Sequence, residues 1–186
     1  MLIQENVIKN MVLGSIRSSA RIGKVSGLLI NPHNLHIDAL FCQVINSKGT
    51  LLLVPEDIRD ISPVGVVIND HEHLLDASDA IRLKPILDLN FEIIGLKAYV
   101  GKRHVGSVES FAVESDGLYV QKIYVRPTLV KRINSSRLTF DRSMVVEVSN
   151  RAVVFKDSSK QRAPSRSQPK PTWPTSIATP MCPHDC

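Results

Sequence analysis

The sequence contains two similar stretches that both begin with glycine. Residues 23–30 read Gly-Lys-Val-Ser-Gly-Leu-Leu-Ile, and residues 106–113 read Gly-Ser-Val-Glu-Ser-Phe-Ala-Val. The same offset of 83 positions pairs later apolar residues: Leu35 with Leu118, Ile37 with Val120, Leu40 with Ile123 and Cys42 with Val125. Self-similarity at a fixed spacing indicates a duplicated structural unit.

The repeat continues towards the end of each copy with a small shift. An offset of 86 places Ile58 on Met144, and it places Val66-Val67-Ile68 on Ala152-Val153-Val154. Loops accept insertions more readily than strands do. The shift of three residues therefore predicts that one loop is longer in the second copy.

Each copy reads as two strands joined by a tight turn, followed by shorter strands. Asn31-Pro32-His33-Asn34 forms the turn in the first copy, and Asp116-Gly117, a strong hairpin signal, forms it in the second. The apolar residues change face at Leu40 and at Ile123, which predicts a β-bulge in both second strands. The shorter strands are expected at 50–54 and 64–68, and again at 137–140 and 152–155.

These patterns predict an all-β protein with two small β-barrels in tandem, because closing a sheet removes its exposed edges. The first unit would span 3–70 and the second 93–157, with mutual packing because each is small. A connector at 71–92 would hold a short helix within Asp76–Asn90, capped by Asp76 or Ser78 and limited by Pro85 to a turn or two. The tail, 158–186, holds six of the eleven prolines and is predicted to be disordered.

The charge distribution excludes a uniformly basic protein. The formal net charge is +5, but the segment from Lys156 onward carries five basic and two acidic residues, which leaves +2 for residues 1–155. The amino terminus lacks the features of a signal peptide, and no apolar run has the length of a transmembrane helix. With only three cysteines, the sequence predicts a cytoplasmic location and no transmembrane segment.

Two features are candidate contact sites. A basic cluster lies on the longest loop of the second unit and its flanking strands, where it could meet a protein partner or a polyanion; its members are Lys122, Arg126, Lys131, Arg132, Arg137 and Arg142. In the tail, Trp173 is flanked by prolines and could anchor a docking peptide. The alternatives are a solvated loop and a solubilising extension.

The sequence predicts neither metal binding nor catalysis. His71-Glu72-His73 has ligand chemistry, but a structural zinc site needs four ligands, and a polar turn is the expected structure. Cys182, His184 and Cys186 would form at most an incomplete site at the chain terminus. No Ser, His and acid arrangement can be argued. We therefore expect no cofactor, no metal, no small-molecule substrate and no enzyme activity, and the sequence makes no prediction for the oligomeric state.

The chain resembles the PRC-barrel family, known from the H subunit of photosynthetic reaction centres and from the carboxy-terminal domain of the ribosome maturation factor. The resemblance covers roughly residues 3–157. It is carried by Gly23-Lys24-Val25 with Gly27-Leu28-Leu29-Ile30, by Leu53-Val54-Pro55 with Asp57-Ile58, by Val100 to Val108, by Leu87 to Phe91 leading into Ile94-Gly95, and by Tyr124-Val125-Arg126-Pro127. The second unit has Phe140-Asp141 where the first has Val54-Pro55.

The resemblance implies a platform for protein or ribonucleoprotein contacts, with no catalytic residues to transfer. The leading hypothesis is a non-catalytic cytoplasmic scaffold that binds a protein partner. The alternative is a factor associated with ribosomal particles or RNA, although nothing in the sequence resembles the separate amino-terminal domain of the ribosome factor. Association with a membrane through a partner is a third, weaker hypothesis, suggested by kinship with the reaction-centre subunit alone.

Overall fold

The computed structural model describes residues 1–45, 47, 49–128 and 137–157, and this part of the chain is mostly β-strand. The first half contains a short initial strand and the six strands of one sheet: β1 (Leu2–Gln4), β2 (Val12–Ser15), β3 (Ala20–Ile30), β4 (Ile37–Val44), β5 (Thr50–Leu53), β6 (Ile58–Ser62) and β7 (Gly65–Ile68). The six strands of this first sheet are ordered β5-β4-β3-β2-β7-β6.

The second half repeats this arrangement strand for strand. Its strands are β8 (Lys97–Val100), β9 (Arg103–Glu114), β10 (Val120–Pro127), β11 (Leu138–Asp141), β12 (Val145–Val148) and β13 (Ala152–Phe155). The second sheet is ordered β11-β10-β9-β8-β13-β12. The two sets of six strands share one parallel pairing, because in each set the last strand along the chain pairs with the first: β7 pairs with β2, and β13 pairs with β8. The predicted all-β class is confirmed, and the two halves share one strand order.

The glycines that open the repeat occupy equivalent places. A Cβ atom at Gly23 would lie 2.3 Å from the carbonyl oxygen of Gln43, and one at Gly106 would lie 2.0 Å from the carbonyl oxygen of Arg126. Gln43 and Arg126 are themselves separated by the offset of the repeat. Both positions therefore need glycine because a neighbouring strand approaches too closely for any side chain.

The two hairpin turns also match in detail. Leu35 and Leu118 both adopt left-handed backbone angles, with φ of 58° and 51°, and β4 and β10 consequently begin two residues later than the repeat pattern predicted. An amide–carboxylate hydrogen bond crosses each hairpin, from Asn31 to Asp38 at 2.9 Å in the first and from Gln121 to Glu114 at 3.0 Å in the second. Asn31 and Glu114 are equivalent positions, so the donor and the acceptor have exchanged sides between the copies.

The later part of the repeat has a different register from the predicted one. Phe41 lies opposite Leu52, and its equivalent Tyr124 lies opposite Thr139, which sets an offset of 87. Ile58 therefore corresponds to Val145, and the pairing of Ile58 with Met144 was wrong by one residue. Adjacent valines occur in the last strand of both halves, at 66–67 and at 153–154. Apolar and polar residues therefore do not alternate there, and the sequence could not fix the register. The predicted bulges are confirmed as register shifts in the β3–β4 and β9–β10 ladders.

The first residues of the chain contribute to the second sheet. β1 pairs antiparallel with β9, with Ile3 opposite Val113. Helix α1 (Glu5–Ile8) follows directly and buries Ile8. The predicted first unit was drawn from residue 3, yet this segment forms its hydrogen bonds with the other half.

The connector contains a short helix, α2 (Lys84–Leu89), which lies within the predicted range Asp76–Asn90 and has the predicted length of a turn or two. Pro85 lies in its first turn, where a proline is tolerated because the missing N–H has no partner in the helix. Leu83 occupies the N-cap position without a side-chain hydrogen bond, so the expected capping by Asp76 or Ser78 was wrong. Asn90, in a left-handed conformation, ends the helix.

The main hydrophobic core is continuous across the two halves. It includes Leu13 and Ile37 from the first sheet and Phe111 and Phe155 from the second, and the rings of Phe140 and Phe155 stack 4.1 Å apart. The expected packing of one half on the other is therefore present. Among the described residues no helix is long and apolar enough to cross a bilayer.

Candidate binding surfaces

The outer face of the second sheet carries part of the basic cluster. Lys122, Tyr124 and Arg126 are alternate residues of β10 and project from the side opposite the buried Ile123 and Val125. Arg137, just before β11, joins them, with its guanidinium carbon 4.0 Å from the centre of the Tyr124 ring. We call these four residues the β10 face.

Acidic and polar neighbours hold the cations of the β10 face in place. The Lys122 ammonium lies 3.1 Å from the Asp141 carboxylate. Arg126 donates hydrogen bonds to Glu109, and Arg137 donates to Ser110 and lies 3.8 Å from Glu109. The surface is therefore one of mixed charge, because every cation on it has a neighbouring hydrogen-bond or ion-pair partner.

Arg142 does not belong to that face. Its guanidinium donates to the carbonyl oxygen of Asn34 at 3.0 Å and lies 4.1 Å from the centre of the Tyr119 ring. Asn34 belongs to the hairpin of the first half, so Arg142 joins the two halves. The predicted cluster thus divides between two places. Its remaining members Lys131 and Arg132 lie outside the described residues, as do Trp173 and the Cys182, His184 and Cys186 group.

The outer face of the first sheet is covered, in contrast to the β10 face. Leu29, Ala39 and Leu52 form a second apolar cluster with Ala80 of the connector. The backbone of Leu75 also pairs with that of Leu52 through hydrogen bonds of 2.8 and 2.9 Å. In the second sheet the positions equivalent to Leu29, Ala39 and Leu52 hold Ala112, Lys122 and Thr139. Polar residues therefore replace two of the three apolar positions of this contact surface in the second copy.

A groove of about 610 Å³ lies beside the covered face of the first sheet. One wall is formed by Val54, Pro55 and Glu56, and the other by the connector from Asp79 to Leu83. Ile81 on this second wall is 78% exposed. His36 and Asp38 also line the groove.

An imidazole–carboxylate pair lies where the groove meets the second half. His36 Nδ1 is 2.7 Å from Asp38 Oδ1, and Asn31 donates to the other carboxylate oxygen at 2.9 Å. The ring of His36 meets that of Tyr119 edge to face, with centroids 4.8 Å apart. These contacts fix the imidazole against the contact between the halves.

The segment considered as a metal candidate forms a 3₁₀ turn, His71–His73. The Asp70 carboxylate accepts a hydrogen bond from the backbone N–H of His71 and also lies 2.6 Å from Nδ1 of the same residue. Nδ1 of His73 instead lies 2.8 Å from the Asp57 carboxylate. The two imidazoles therefore turn to different carboxylates. Within the ranges that the structure describes, no group of three or more His, Cys, Asp or Glu side chains is arranged to hold a metal ion.

Two buried groups have shifted pKa values. Arg17 Nη1 lies 2.5 Å from Asp70 Oδ2, and this hydrogen bond, with further ones from His71, lowers the pKa of the Asp70 carboxyl. Burial raises the pKa of the Cys42 thiol to about 12, so that this cysteine remains protonated and unreactive in the core.

Sequence reasoning missed the Arg17–Asp70 pair, the His36–Asp38 pair and the role of Arg142. The sequence did carry one signal for His36, because it lies one repeat length before Tyr119. No protein-family model matches the chain, and no curated protein matches it significantly.

Proposed function

We propose that this protein is a non-catalytic binding module whose β10 face contacts a protein partner. The observation that carries the proposal is the difference between the two copies of one surface. The connector covers the outer face of the first sheet with apolar contacts, while the equivalent face of the second sheet carries Lys122, Tyr124, Arg126 and Arg137. We also propose, from the resemblance and the repeated strand order, that both halves are PRC-type units and that the protein acts in the cytoplasm.

The chemistry of the β10 face favours a protein over a nucleic acid as the partner. Phosphate backbones are bound by cations that replace condensed counterions. Here Glu109 and Asp141 already neutralise much of the positive charge. A protein surface offers both signs of charge and apolar area for an aromatic ring, and arginine and tyrosine are the residue types enriched at the energetic centres of protein interfaces.

The test is an affinity purification in which the bait is the full chain. Tyr124→Ala and Arg126→Glu alter the β10 face without changing a buried side chain, and Arg151→Glu, an exposed position in the turn before β13, is the matched control. We expect at least one protein to be recovered with the native and control baits and to be depleted more than about tenfold with both β10-face variants. Recovery of the same proteins by all four baits would contradict the proposal.

Association with ribosomal particles or RNA is the second candidate. The observation in its favour is the Arg137 guanidinium over the Tyr124 ring, because such a pair offers a stacking platform for an unpaired base. It predicts co-sedimentation with ribosomal particles that weakens steeply with salt and is reduced by Arg137→Glu or Arg132→Glu. Sedimentation that both substitutions leave unchanged would argue against this candidate.

A further inference from the structure

Each of the two hairpins contacts the opposite half of the molecule, and one cleft lies at each of these contacts. One is lined by Pro32–Leu35 of the first hairpin, by Arg142 and by Val145–Val148 of β12, and we call it the Arg142 cleft. The other is lined by Ser115–Leu118 of the second hairpin, by Pro55 and by Ile58–Ile61 of β6, and we call it the Pro55 cleft.

The two clefts are copies of each other under the repeat. The hairpin residues correspond at the offset of 83, and the strand residues correspond at the offset of 87. Arg142 and Pro55 each stand first in a 3₁₀ turn, after N-cap residues of nearly identical conformation: φ −79° and ψ 151° at Asp141, φ −82° and ψ 150° at Val54. Tyr119 beside the Arg142 cleft corresponds to His36, which lines the Pro55 cleft.

The Arg142 cleft is occupied by the chain's own guanidinium. That group donates to the carbonyl oxygen of Asn34 and lies over the ring of Tyr119. The combination of a carbonyl acceptor and an aromatic face suits a guanidinium because the group is planar, donates in its own plane and stacks through its face. The neighbouring Glu147 adds negative charge to the same cleft.

The Pro55 cleft has the corresponding acceptors but lacks the arginine. Gly117 replaces Asn34, His36 replaces Tyr119, and Asp60 replaces Glu147, while Asp116 supplies a further carboxylate in place of His33. Proline cannot reach into the space that the Arg142 side chain fills on the other side. The volume reflects this, at about 310 Å³ against about 180 Å³ for the Arg142 cleft.

Two cations lie near the Pro55 cleft and are held by other groups. Arg59 lines it, but its Nε donates to Asn69 at 2.8 Å. The ammonium group of Met1 donates to the Ser115 hydroxyl at 3.0 Å, and that hydroxyl donates to Asp116 at 2.9 Å. The chain of hydrogen bonds fixes one oxygen of Asp116 and leaves the carboxylate as an acceptor at the rim.

We infer that the Pro55 cleft is a binding site for an arginine side chain presented by a partner polypeptide. The guanidinium would take the place that Arg142 takes in the sister cleft, with the Gly117 carbonyl as acceptor, the His36 ring beneath it and Asp60 and Asp116 as counter-charges. This site is separate from the β10 face and does not depend on it.

The test uses N-acetyl-arginine amide as the probe and the full chain labelled with ¹⁵N. We expect binding in about the millimolar range, as for a ligand of so few atoms, with the largest amide shifts at Asp116, Gly117 and Ile61. The citrulline analogue, which keeps the shape and loses the charge, should bind at least tenfold more weakly. Equal binding of the two probes, or shifts centred elsewhere, would overturn the inference.

Two substitutions test the position of the site. Pro55→Arg places an arginine where Arg142 stands in the other copy, and we expect it to fill the cleft and abolish probe binding. Asp60→Asn should weaken binding several-fold, while the matched change Glu147→Gln in the Arg142 cleft should leave it unchanged. Native affinity in Asp60→Asn, or in a folded Pro55→Arg, would also overturn the inference. The Asp60 variant keeps the test decisive if Pro55→Arg does not fold.

Discussion

Leu35 and Leu118 accept equivalent backbone hydrogen bonds across the contact between the two halves. Ile37 N–H donates to the carbonyl of Leu118 at 2.8 Å, and Val120 N–H donates to the carbonyl of Leu35 at 2.9 Å. His36 and Tyr119 themselves pair as an isolated antiparallel bridge, and their rings meet with centroids 4.8 Å apart. Because equivalent residues contact one another reciprocally, the two halves pack as the subunits of a symmetric dimer do.

The paired glycines should be equally intolerant of substitution. We expect Gly23→Ala and Gly106→Ala each to lower the free energy of unfolding by about 1–3 kcal/mol or more, because the new methyl group would overlap a carbonyl oxygen of the next strand. Gly49→Ala is the control, since nothing lies within 4 Å of a Cβ there. Urea unfolding curves measure the difference, and a neutral result at either position would show that the strands can separate without cost.

Arg142 should contribute to stability through its contacts with the first half. We expect Arg142→Ala to lower the free energy of unfolding by about 1–2 kcal/mol, from one charged hydrogen bond and one cation–π contact. Arg151→Ala, at an exposed turn, should change it by less than about 0.5 kcal/mol. Thermal unfolding of both variants provides the comparison, and equal melting temperatures would remove Arg142 from the contact between the halves.

The Arg17–Asp70 pair should make the protein more resistant to acid. The pKa of Asp70 is lower in the folded state than its ordinary value of 3.8. The contribution to stability is therefore present above that pH and is lost as the pH falls through the folded-state pKa. We expect Arg17→Gln to raise the pKa of Asp70 and to move the acid unfolding midpoint to higher pH, measured by circular dichroism. Arg151→Gln should leave the midpoint in place, and an unshifted midpoint in Arg17→Gln would contradict the pairing.

Cys42 should make the protein sensitive to alkali. Its pKa is about 12 in the folded state against an ordinary value of 9.0. Because the folded-state pKa is the higher one, the stabilising effect is complete below pH 9 and is lost as the pH rises from 9 towards 12. We expect Cys42→Ala to have a smaller loss of stability between pH 8 and pH 10.5 than the native chain. In a chain that carries Cys182→Ser and Cys186→Ser, a disulfide-exchange reagent should modify Cys42 only in denaturant, and fast labelling of that folded variant would contradict the burial of Cys42.

The sequence was informative where spacing carries the signal. The glycine pair and the apolar residues that recur at 83 positions, with a turn-forming stretch in each copy, were enough to predict the duplication, the hairpins and the strand class, because close strand approach and tight turns restrict which residues fit. The later register was missed by one residue. Apolar residues occupy successive positions at 66–68 and 152–154, so hydrophobicity alone could not identify the buried face.

The contacts between the halves could not be read from the sequence. Lys122, Arg126 and Arg142 lie within about twenty residues of one another in the sequence, and this closeness suggested one basic cluster. The first two project from alternate positions of a strand, whereas Arg142 begins a 3₁₀ turn and points to the other half. Likewise, the predicted limit of a turn or two for the connector helix is confirmed, but the sequence did not show that Pro85 lies in its first turn.

The pairing of β1 with β9 means that the connector is not the only tie between the halves. If a protease cleaved between residues 71 and 92, the two fragments would remain associated, because β1, which pairs with β9 of the second sheet, belongs to the first fragment. Conversely, a fragment starting at residue 93 would have an open edge along Ala112–Glu114. The order of synthesis adds a further consequence: β1 is synthesised before β9, and it must wait for this partner to emerge about a hundred residues later.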